Sequence, residues 1–544
     1  MITKKIASLL CLLLCVFLLI FPFCAAADKS LTISFEELRD KIAGGWAGKM
    51  IGVAYGAPTE FRALARTYED SIAWTPEQVK NALNQDDLYA QLTFMMAMDA
   101  DAGLDTPTSK MLEAFANAGY WLWHANVQAR KNFFDGILPP ESGSPEYNLH
   151  ADDIDFQIES DYIGFMCPAM PQTANLIADK VGRIMNYGDG IYGGQFVAAI
   201  YAASYFEKDI PSVIERALLS LPAASEYARC IRDVIKLHRQ YPDNWRTAWQ
   251  ELENKWDAAD MCQPFNNFNI DAKLNGAYIV MGLLYGEGDL GKTLEIATRS
   301  GQDSDCNPSN AAAVIGIING YDALPDQWKG GIMPIADSLF LHTNYSFNKA
   351  IDQTMMYAEQ IILQNGGTKT ASGFIIKPQE PKSSALEVAF PETIPAYETN
   401  VDDSAGWEWE GNWSSYDLSY QAEHLPETQV KYADQAGDEV SFTFTGNGVA
   451  LTGSWKKDGG RADIYLDDQF QRTIDTYYDH FGQEKNRETF LWHKLQLDEG
   501  QHTLKLVVKG TKKEKSKDSR IYIQSARVFK KGPKNNELVK FSFE

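Results

Sequence analysis

The feature that most constrains this chain is a change of period two thirds of the way along it. From about Ser30 to about Gln364, apolar residues recur at helical spacing, as in Gln195 to Phe206 and Pro211 to Leu219. Beyond about Thr399 they alternate with polar ones instead: Val440, Phe442 and Phe444, then Ile464 and Leu466, then Leu504, Leu506 and Val508, then Ile521 and Ile523. A helix buries a stripe and a strand buries every second residue, so the two patterns need separate cores. A chain of 544 residues has room for both. The expected architecture is therefore multidomain, with an all-α domain over 28–364 followed by an all-β, jelly-roll sandwich over 400–544. Ser34-Phe35-Glu36-Glu37 is a capping box that opens the first helix, and Gly446-Asn447-Gly448 supplies a turn between strands. The stretch 365–399, with Gly366-Gly367, Ser383-Ser384 and scattered prolines, reads as an inter-domain linker.

Residues 1–27 read as a signal peptide: Lys4 and Lys5 form a positive start, Ile6 to Phe23 is nearly all apolar, and Ala25-Ala26-Ala27 offers a cleavage site. The mature chain is expected to be exported, whether periplasmic, secreted or at the cell surface, with no integral membrane span after cleavage. It keeps Cys167, Cys230, Cys262 and Cys306, whose wide spacing fits no zinc motif. An oxidising compartment allows a disulfide among them, though so long a chain does not need one to hold its core. The whole chain has 50 basic against 73 acidic side chains, a formal charge of −23, which argues against nucleic acid as a partner.

Chemistry concentrates in Gln302-Asp303-Ser304-Asp305-Cys306-Asn307-Pro308, where two carboxylates precede a predicted helix start at Asn307-Pro308. Carboxylates this close repel unless a positive charge lies between them, and a hard cation such as Mg²⁺ suits oxygen ligands. A second acidic pair, Asp86-Asp87, could complete such a site. Trp121, Trp123 and His124 could stack on a sugar, but their spacing favours a helical core position. Trp407, Trp409, Trp413, Trp455, Tyr477, Tyr478 and Trp492 suit sugar rings and a sandwich core alike. Lys512 to Lys517 reads as a solvated hairpin tip.

Over roughly Asp40 to Leu324 the chain resembles the ADP-ribosylglycohydrolase family. The motifs that carry the resemblance are Gly52-Val53-Ala54-Tyr55-Gly56-Ala57-Pro58-Thr59-Glu60, Gln85-Asp86-Asp87-Leu88 and Asp303-Ser304-Asp305-Cys306. Between them, Gln157 to Gly164 and Asn186 to Gly194 look like the middle motifs of a divergent bacterial branch. The resemblance implies an all-α fold with a two-magnesium site at the base of a cleft. By position, Asp86, Asp87, Asp303 and Asp305 are the implied metal ligands, and Glu60 and Asp303 the implied catalytic carboxylates. Asp161 is a further catalytic candidate, and Gln85, Asp189 and Tyr192 are candidate substrate contacts; Glu159 lies in the same middle region. Gln85, Leu88 and Cys306 stand where the family has Thr, and Val53 where it has Asp. Leu88 cannot coordinate, and a neutral thiol is a poor Mg²⁺ ligand, so one or two ions are expected, with at least one of the two sites weakened or absent.

The expected function is an exported glycoside hydrolase. Its helical domain would cleave a glycosidic bond at a metal-assisted acidic site, and its β domain would engage the glycan. One alternative is a hydrolase that releases ADP-ribose from a protein or nucleotide. The other is a non-catalytic glycan-binding protein, which the Val53 and Leu88 replacements favour.

Overall fold

The computed structural model describes residues 30–257, 261, 263–418, 428–487 and 489–532. The stretch 1–27, expected to be a signal peptide, and Cys262 lie outside them. The helical domain is organised around two helices that are buried on all sides over most of their length, α1 (Phe35–Gly56) from Lys41 onward and a later one, Cys306–Asn319. Such helices belong in the centre of a domain. One arm of the predicted capping box is present at the start of α1: the Ser34 hydroxyl accepts from the Glu37 amide at 2.9 Å.

Glycines at Gly44, Gly48, Gly52 and Gly56 fall one turn apart and make a side-chain-free stripe along α1. The Cys306–Asn319 helix and the loop before it lie against that stripe with backbone touching backbone. A Cβ at Gly52 would come within 2.4 Å of the Pro308 carbonyl oxygen, and one at Gly56 within 2.1 Å of the Ser304 carbonyl oxygen. The stripe thus fixes the Asp303–Asp305 loop against the end of α1. Around this pair pack the shorter helices, among them α2 (Asp86–Ala100), α3 (His124–Phe134), α4 (Asp155–Glu159), α5 (Asp161–Phe165), α6 (Asp189–Ser204) and α7 (Ala272–Gly286). With the Cys306–Asn319 helix as α8, the domain closes with α9 (Phe347–Gln364).

The stretch 365–399 holds structure of its own. β1 (Leu31–Ser34), β2 (Thr368–Lys369) and β3 (Gly373–Ile376) form a small sheet in the order β1-β3-β2, which ties the start of the described chain to the end of α9. The chain then straps across the helical domain. Gln379 donates to the Thr173 hydroxyl at 2.8 Å, Ser384 donates to the Gln195 side chain at 3.1 Å, and Glu387 pairs with Arg183 at 3.0 Å. β4 (Thr393–Asn400) already belongs to the next domain.

That domain is a sandwich of antiparallel sheets, as the alternating pattern predicts. One sheet is built from β5 (Trp407–Glu410), β8 (Glu439–Gly446), β10 (Arg461–Leu466), β11 (Gln469–Asp475) and β13 (Gly500–Val508), in the order β11-β10-β13-β8-β5. The other has β6 (Ser414–Leu418), β7 (Thr428–Ala433), β9 (Gly448–Ser454), β12 (Phe490–Lys494) and β14 (Ile521–Lys531), in the order β12-β9-β14-β7-β6, with β4 also on β14. Val440, Phe442, Phe444, Ile464, Leu504, Leu506, Ile521 and Ile523 all point into the core. So do Trp455, Tyr478 and Trp492.

The sandwich is docked on the helical domain through buried polar contacts as well as apolar ones. Lys131 of α3 donates to the Asp475 carbonyl at 2.8 Å, and His493 of β12 pairs through Nε2 with the Pro145 carbonyl at 2.7 Å. From the basic loop, Lys513 reaches Asp135 at 3.1 Å, just past the C-terminal end of α3. A cation there also meets the negative end of the helix dipole. Among the described residues no helix is long and apolar enough to cross a membrane.

Two outcomes follow from this packing. Gly52→Ala should lower the melting temperature, with a cost of about 2 kcal/mol or more, because a rigid backbone carbonyl blocks the new methyl. A melt within 1 °C of wild type would show that the helices can separate. Burial pushes the His493 imidazole down to about 4. Unfolding releases it to an ordinary pKa near 6.5, so the unfolded chain binds more protons between those values and stability falls as pH falls through that window. His493→Gln should therefore melt with a shallower pH dependence than wild type between pH 6.5 and about 4, a difference of up to about 3 kcal/mol.

Candidate active site

Two helix starts and one helix end converge on a cleft in the helical domain. The Asp86-Asp87 pair occupies the first turn of α2, where the helix dipole favours negative charge. Asp305 is the N-cap of α8. Gln302, just before it, holds φ at 53°, a left-handed conformation that costs a non-glycine residue about 1 kcal/mol. Its side chain offsets that by donating to the Asn267 carbonyl at 2.9 Å and accepting from the Asn269 amide at 3.0 Å. Beyond the end of α1, Thr59 shares a hydroxyl hydrogen bond with Ser304 at 2.7 Å, and the Phe61 amide donates to the Gln302 carbonyl at 3.1 Å. Glu60 is thereby held beside the acidic loop.

The cleft has a volume of about 510 Å³. Glu60, Gln85, Asp86 and Asp303 line it, as do Asp155 and Cys306. Asp303 and Asp305 are 4% and 2% exposed, and the Oδ1 atom of each has no hydrogen-bond partner. Glu60 is exposed at the mouth, and single oxygens of Glu60, Asp303 and Asp305 lie within 4.8 Å of one another. Burial, then the neighbouring Asp305 charge, pushes Asp303 well above the carboxylate range. Asp305 is raised by burial and then by Asp87, and Asp86 by burial and then by Asp87 and Asp305. For exposed Glu60 the Asp305 charge is the leading cause of an upward shift. The cluster gathers four acidic side chains, Glu60, Asp86, Asp303 and Asp305, whose shifts are all upward. Buried, unsatisfied carboxylate oxygens in this number fit a hard divalent cation.

One expected ligand is engaged otherwise. Lys49, one turn before Gly52 on α1, is fully buried, and its ammonium meets Asp87 Oδ1 at 2.8 Å, Asp161 Oδ2 at 3.0 Å and the Ile158 carbonyl at 3.0 Å. Those three acceptors use all three of its protons. Burial alone would lower its pKa, but Asp161 and Asp87 outweigh burial and hold it above the lysine range. Cys306 takes the other Asp87 oxygen, its Sγ 3.1 Å from Oδ2. No periodic or motif signal marks Lys49 in the sequence, and α1 carries a second buried lysine, Lys41, that takes no part in the site.

Asp161 does not line the cleft. It lies behind Lys49 and also accepts from Gln91 at 3.0 Å, Tyr201 at 2.6 Å and Asn310 at 3.0 Å, so it is a structural counter-ion rather than a group open to substrate. Tyr192 and Asp189 are likewise not among the cleft residues. The Tyr192 hydroxyl donates to the Ala385 carbonyl at 2.7 Å and accepts from the Glu387 amide at 2.6 Å, which anchors the strap. Asp189 starts α6, near Glu226, Lys273 and Asp271. Glu159 is buried under the cleft and donated to by Asn126 at 2.5 Å; burial, then Asp155, pushes its pKa well up.

Trp121 and Trp123 differ from the core position their spacing favours. The helix Thr108–Asn117 ends before them and α3 begins only at His124, so they lie on an irregular segment and are 49% and 43% exposed on the cleft wall. The sandwich supplies the facing wall: Glu484, Lys485, Asn486 and Arg487. Lys485 donates to the Leu122 carbonyl, and its ammonium lies 5.6 and 5.1 Å from the Trp121 and Trp123 rings. His124, His150 and Asp153 form another cluster at the cleft edge, in which His150 Nδ1 pairs with Asp153 Oδ2 at 2.7 Å.

The ADP-ribosylglycohydrolase family profile matches residues 34–353, more than half of the chain. The chain belongs to the ADP-ribosylglycohydrolase family. The family is hydrolytic, and the matched span contains every acidic residue of the cleft floor. Among solved structures, an ADP-ribosylglycohydrolase-related protein complex is 13% identical, with a TM-score of 0.42, over 60% of this chain and 100% of that one. A two-domain esterase active on acetylated mannans is 12% identical, with a TM-score of 0.21, over 37% of this chain and 50% of that one. The catalytic domain of an α-1,3-glucanase is 15% identical, with a TM-score of 0.15, over 26% of this chain and 29% of that one. No curated protein matches the chain.

The two kinds of buried aspartate should respond oppositely to loss of charge. In metal-free protein Asp303→Asn should raise stability by on the order of 1 kcal/mol, since it removes a repelling carboxylate. Asp161→Asn should lower it by about 3 kcal/mol, since it strips a buried ammonium of a counter-ion. Thermal melts in chelator would show it; equal shifts of one sign would refute the distinction.

Proposed function

We propose that the protein is an exported glycoside hydrolase that cleaves a glycosidic bond of a glycan or glycosylated small molecule in this cleft. The observation that carries the reading is the pairing of two things. One is a floor with unpartnered buried Asp303 and Asp305 oxygens; the other is a wall with exposed Trp121 and Trp123. Aromatic faces bind sugar rings through their apolar C–H surface, and such stacking needs no charge on the ligand. The signal-like first residues support export.

Asp303 and Asp305 would hold a divalent cation, with Asp86 adjoining and Glu60 beside it; Mg²⁺ is the expected ion. When bound, such a cation orients sugar hydroxyls and acidifies water. The chain's own residues do the rest. Glu60 is the exposed carboxyl beside the buried pair and is placed to exchange a proton with the departing oxygen. The Trp121 and Trp123 faces set the plane of the ring, and Gln85 at the start of α2 offers an amide to its hydroxyls. The Glu484–Arg487 wall excludes water from one side.

Family membership favours a second reading, release of ADP-ribose from a protein or nucleotide. The test is release of reducing sugar from a panel of plant, host and microbial glycans, with ADP-ribosylated protein assayed in parallel. The expected result is turnover of at least one glycan. Asp303→Ala with Asp305→Ala should abolish it, and Glu60→Gln should reduce kcat by about a hundredfold or more. Turnover of ADP-ribosylated protein alone would replace the glycan reading with the second one. Glycan binding without hydrolysis, unchanged in the double variant, would make the protein a lectin on an enzyme scaffold.

A further inference from the structure

The acidic floor contains two overlapping sets of ligand atoms that share Asp305. One is Glu60, Asp303 and Asp305; the other is Asp87, Asp305 and Cys306. The residues of the two sets lie in different states. In the first, Asp303 Oδ1 and Asp305 Oδ1 are buried and unpartnered. In the second, both Asp87 oxygens are already in use: Oδ1 accepts from Lys49 at 2.8 Å and Oδ2 from the Cys306 thiol at 3.1 Å. The Lys49 and Asp87 side chains are 0% exposed, so the ammonium has no solvent to move into. It is also held from behind by Asp161, itself fixed by Gln91, Tyr201 and Asn310. A divalent ion at the second set would have to approach a fixed positive charge, strip two hydrogen bonds from Asp87 and accept a buried neutral thiol, a ligand that suits softer metals.

We infer that this is a single-cation centre, in which the Lys49 ammonium permanently holds the place of a second ion. The inference rests on the metal-assisted reading above. It explains why Leu88 and Cys306 are tolerated where oxygen ligands are expected: no ion needs them. It also assigns Lys49 a role that no motif marks. Lys49 neutralises Asp87 and positions it beneath Asp305, so that the remaining negative charge is concentrated on one set of oxygens.

The test needs no substrate, so it stands whether or not the glycan reading does. Chelator-stripped mature protein is titrated with Mn²⁺ alone by calorimetry, and the loaded protein is examined by electron paramagnetic resonance. One Mn²⁺ per chain, with the spectrum of an isolated ion, is expected. Two ions per chain, a spin-coupled pair, or no binding up to millimolar Mn²⁺ would each overturn the inference. Asp303→Asn, outside the Lys49 network, should weaken Mn²⁺ binding at least about tenfold. Cys306→Ser should still bind one ion, whereas Lys49→Met combined with Cys306→Ser should bind two. If that double variant folds and binds only one ion, Lys49 is not what excludes the second. If it does not fold, the wild-type stoichiometry, the spectrum and Asp303→Asn decide the matter.

Discussion

The backbone-to-backbone contact between α1 and α8 is the constraint on which the rest of the site depends. Helices with ordinary side chains keep their axes 8–10 Å apart. A turn-spaced glycine stripe from Gly44 to Gly56 lets these two approach until carbonyls of one fill the space where the other would carry Cβ atoms. Three consequences follow from that one approach. The loop before α8 is pressed against the end of α1, which brings Asp303 and Asp305 beside Glu60. Lys49, in the same helix, is carried into the middle of the domain, where two carboxylates and the Ile158 carbonyl satisfy it. The start of α2 then has to present Asp87 to that ammonium.

The resulting electrostatics are deliberately unbalanced. On the inner side of the floor the Lys49 network is closed: Lys49 lies between Asp87 and Asp161, and Asp161 also accepts from Gln91, Tyr201 and Asn310. On the outer side, Asp303 and Asp305 have oxygens with no partner, and burial raises the pKa of both, with the Asp305 charge adding to the shift at Asp303 and the Asp87 charge to that at Asp305. The inner pair costs desolvation but is rigid. The outer group is a store of unfavourable interaction that binding can relieve, as is common where a site is built for a ligand rather than for stability.

The sandwich is more than an appendage. Its Glu484–Arg487 loop forms one wall of the cleft, Lys485 reaches the backbone between Trp121 and Trp123, and Lys513 and His493 fix its orientation on α3 and the loop after it. The strap from Gln379 to Glu387 explains the polar contacts that hold it, Tyr192 included. A residue can lie in a Gly- and Tyr-rich stretch because a connecting segment has to be tied down there.

Both domain types were legible in the sequence because period is a local property: helical spacing up to Gln364 and alternation after Thr399 each reflect one buried face. Asp86, Asp87, Asp303 and Asp305 stood out because two acidic pairs each adjoin a helical apolar run, and Glu60 only through the resemblance to the family. What each of them does was not. Asp161 and Asp303 look alike along the chain, yet one is saturated beside an ammonium and the other faces a cleft. Trp121 and Trp123 have helical spacing, yet the helix stops at Asn117. The Lys49 partnership spans three separate segments, and the wall contributed by Glu484–Arg487 comes from another domain. Sequence determined the elements and the inventory of charges, since both are set by neighbours along the chain. Only the tertiary structure decided which charges are neutralised and which are left for a ligand, because that depends on distances between residues far apart in sequence.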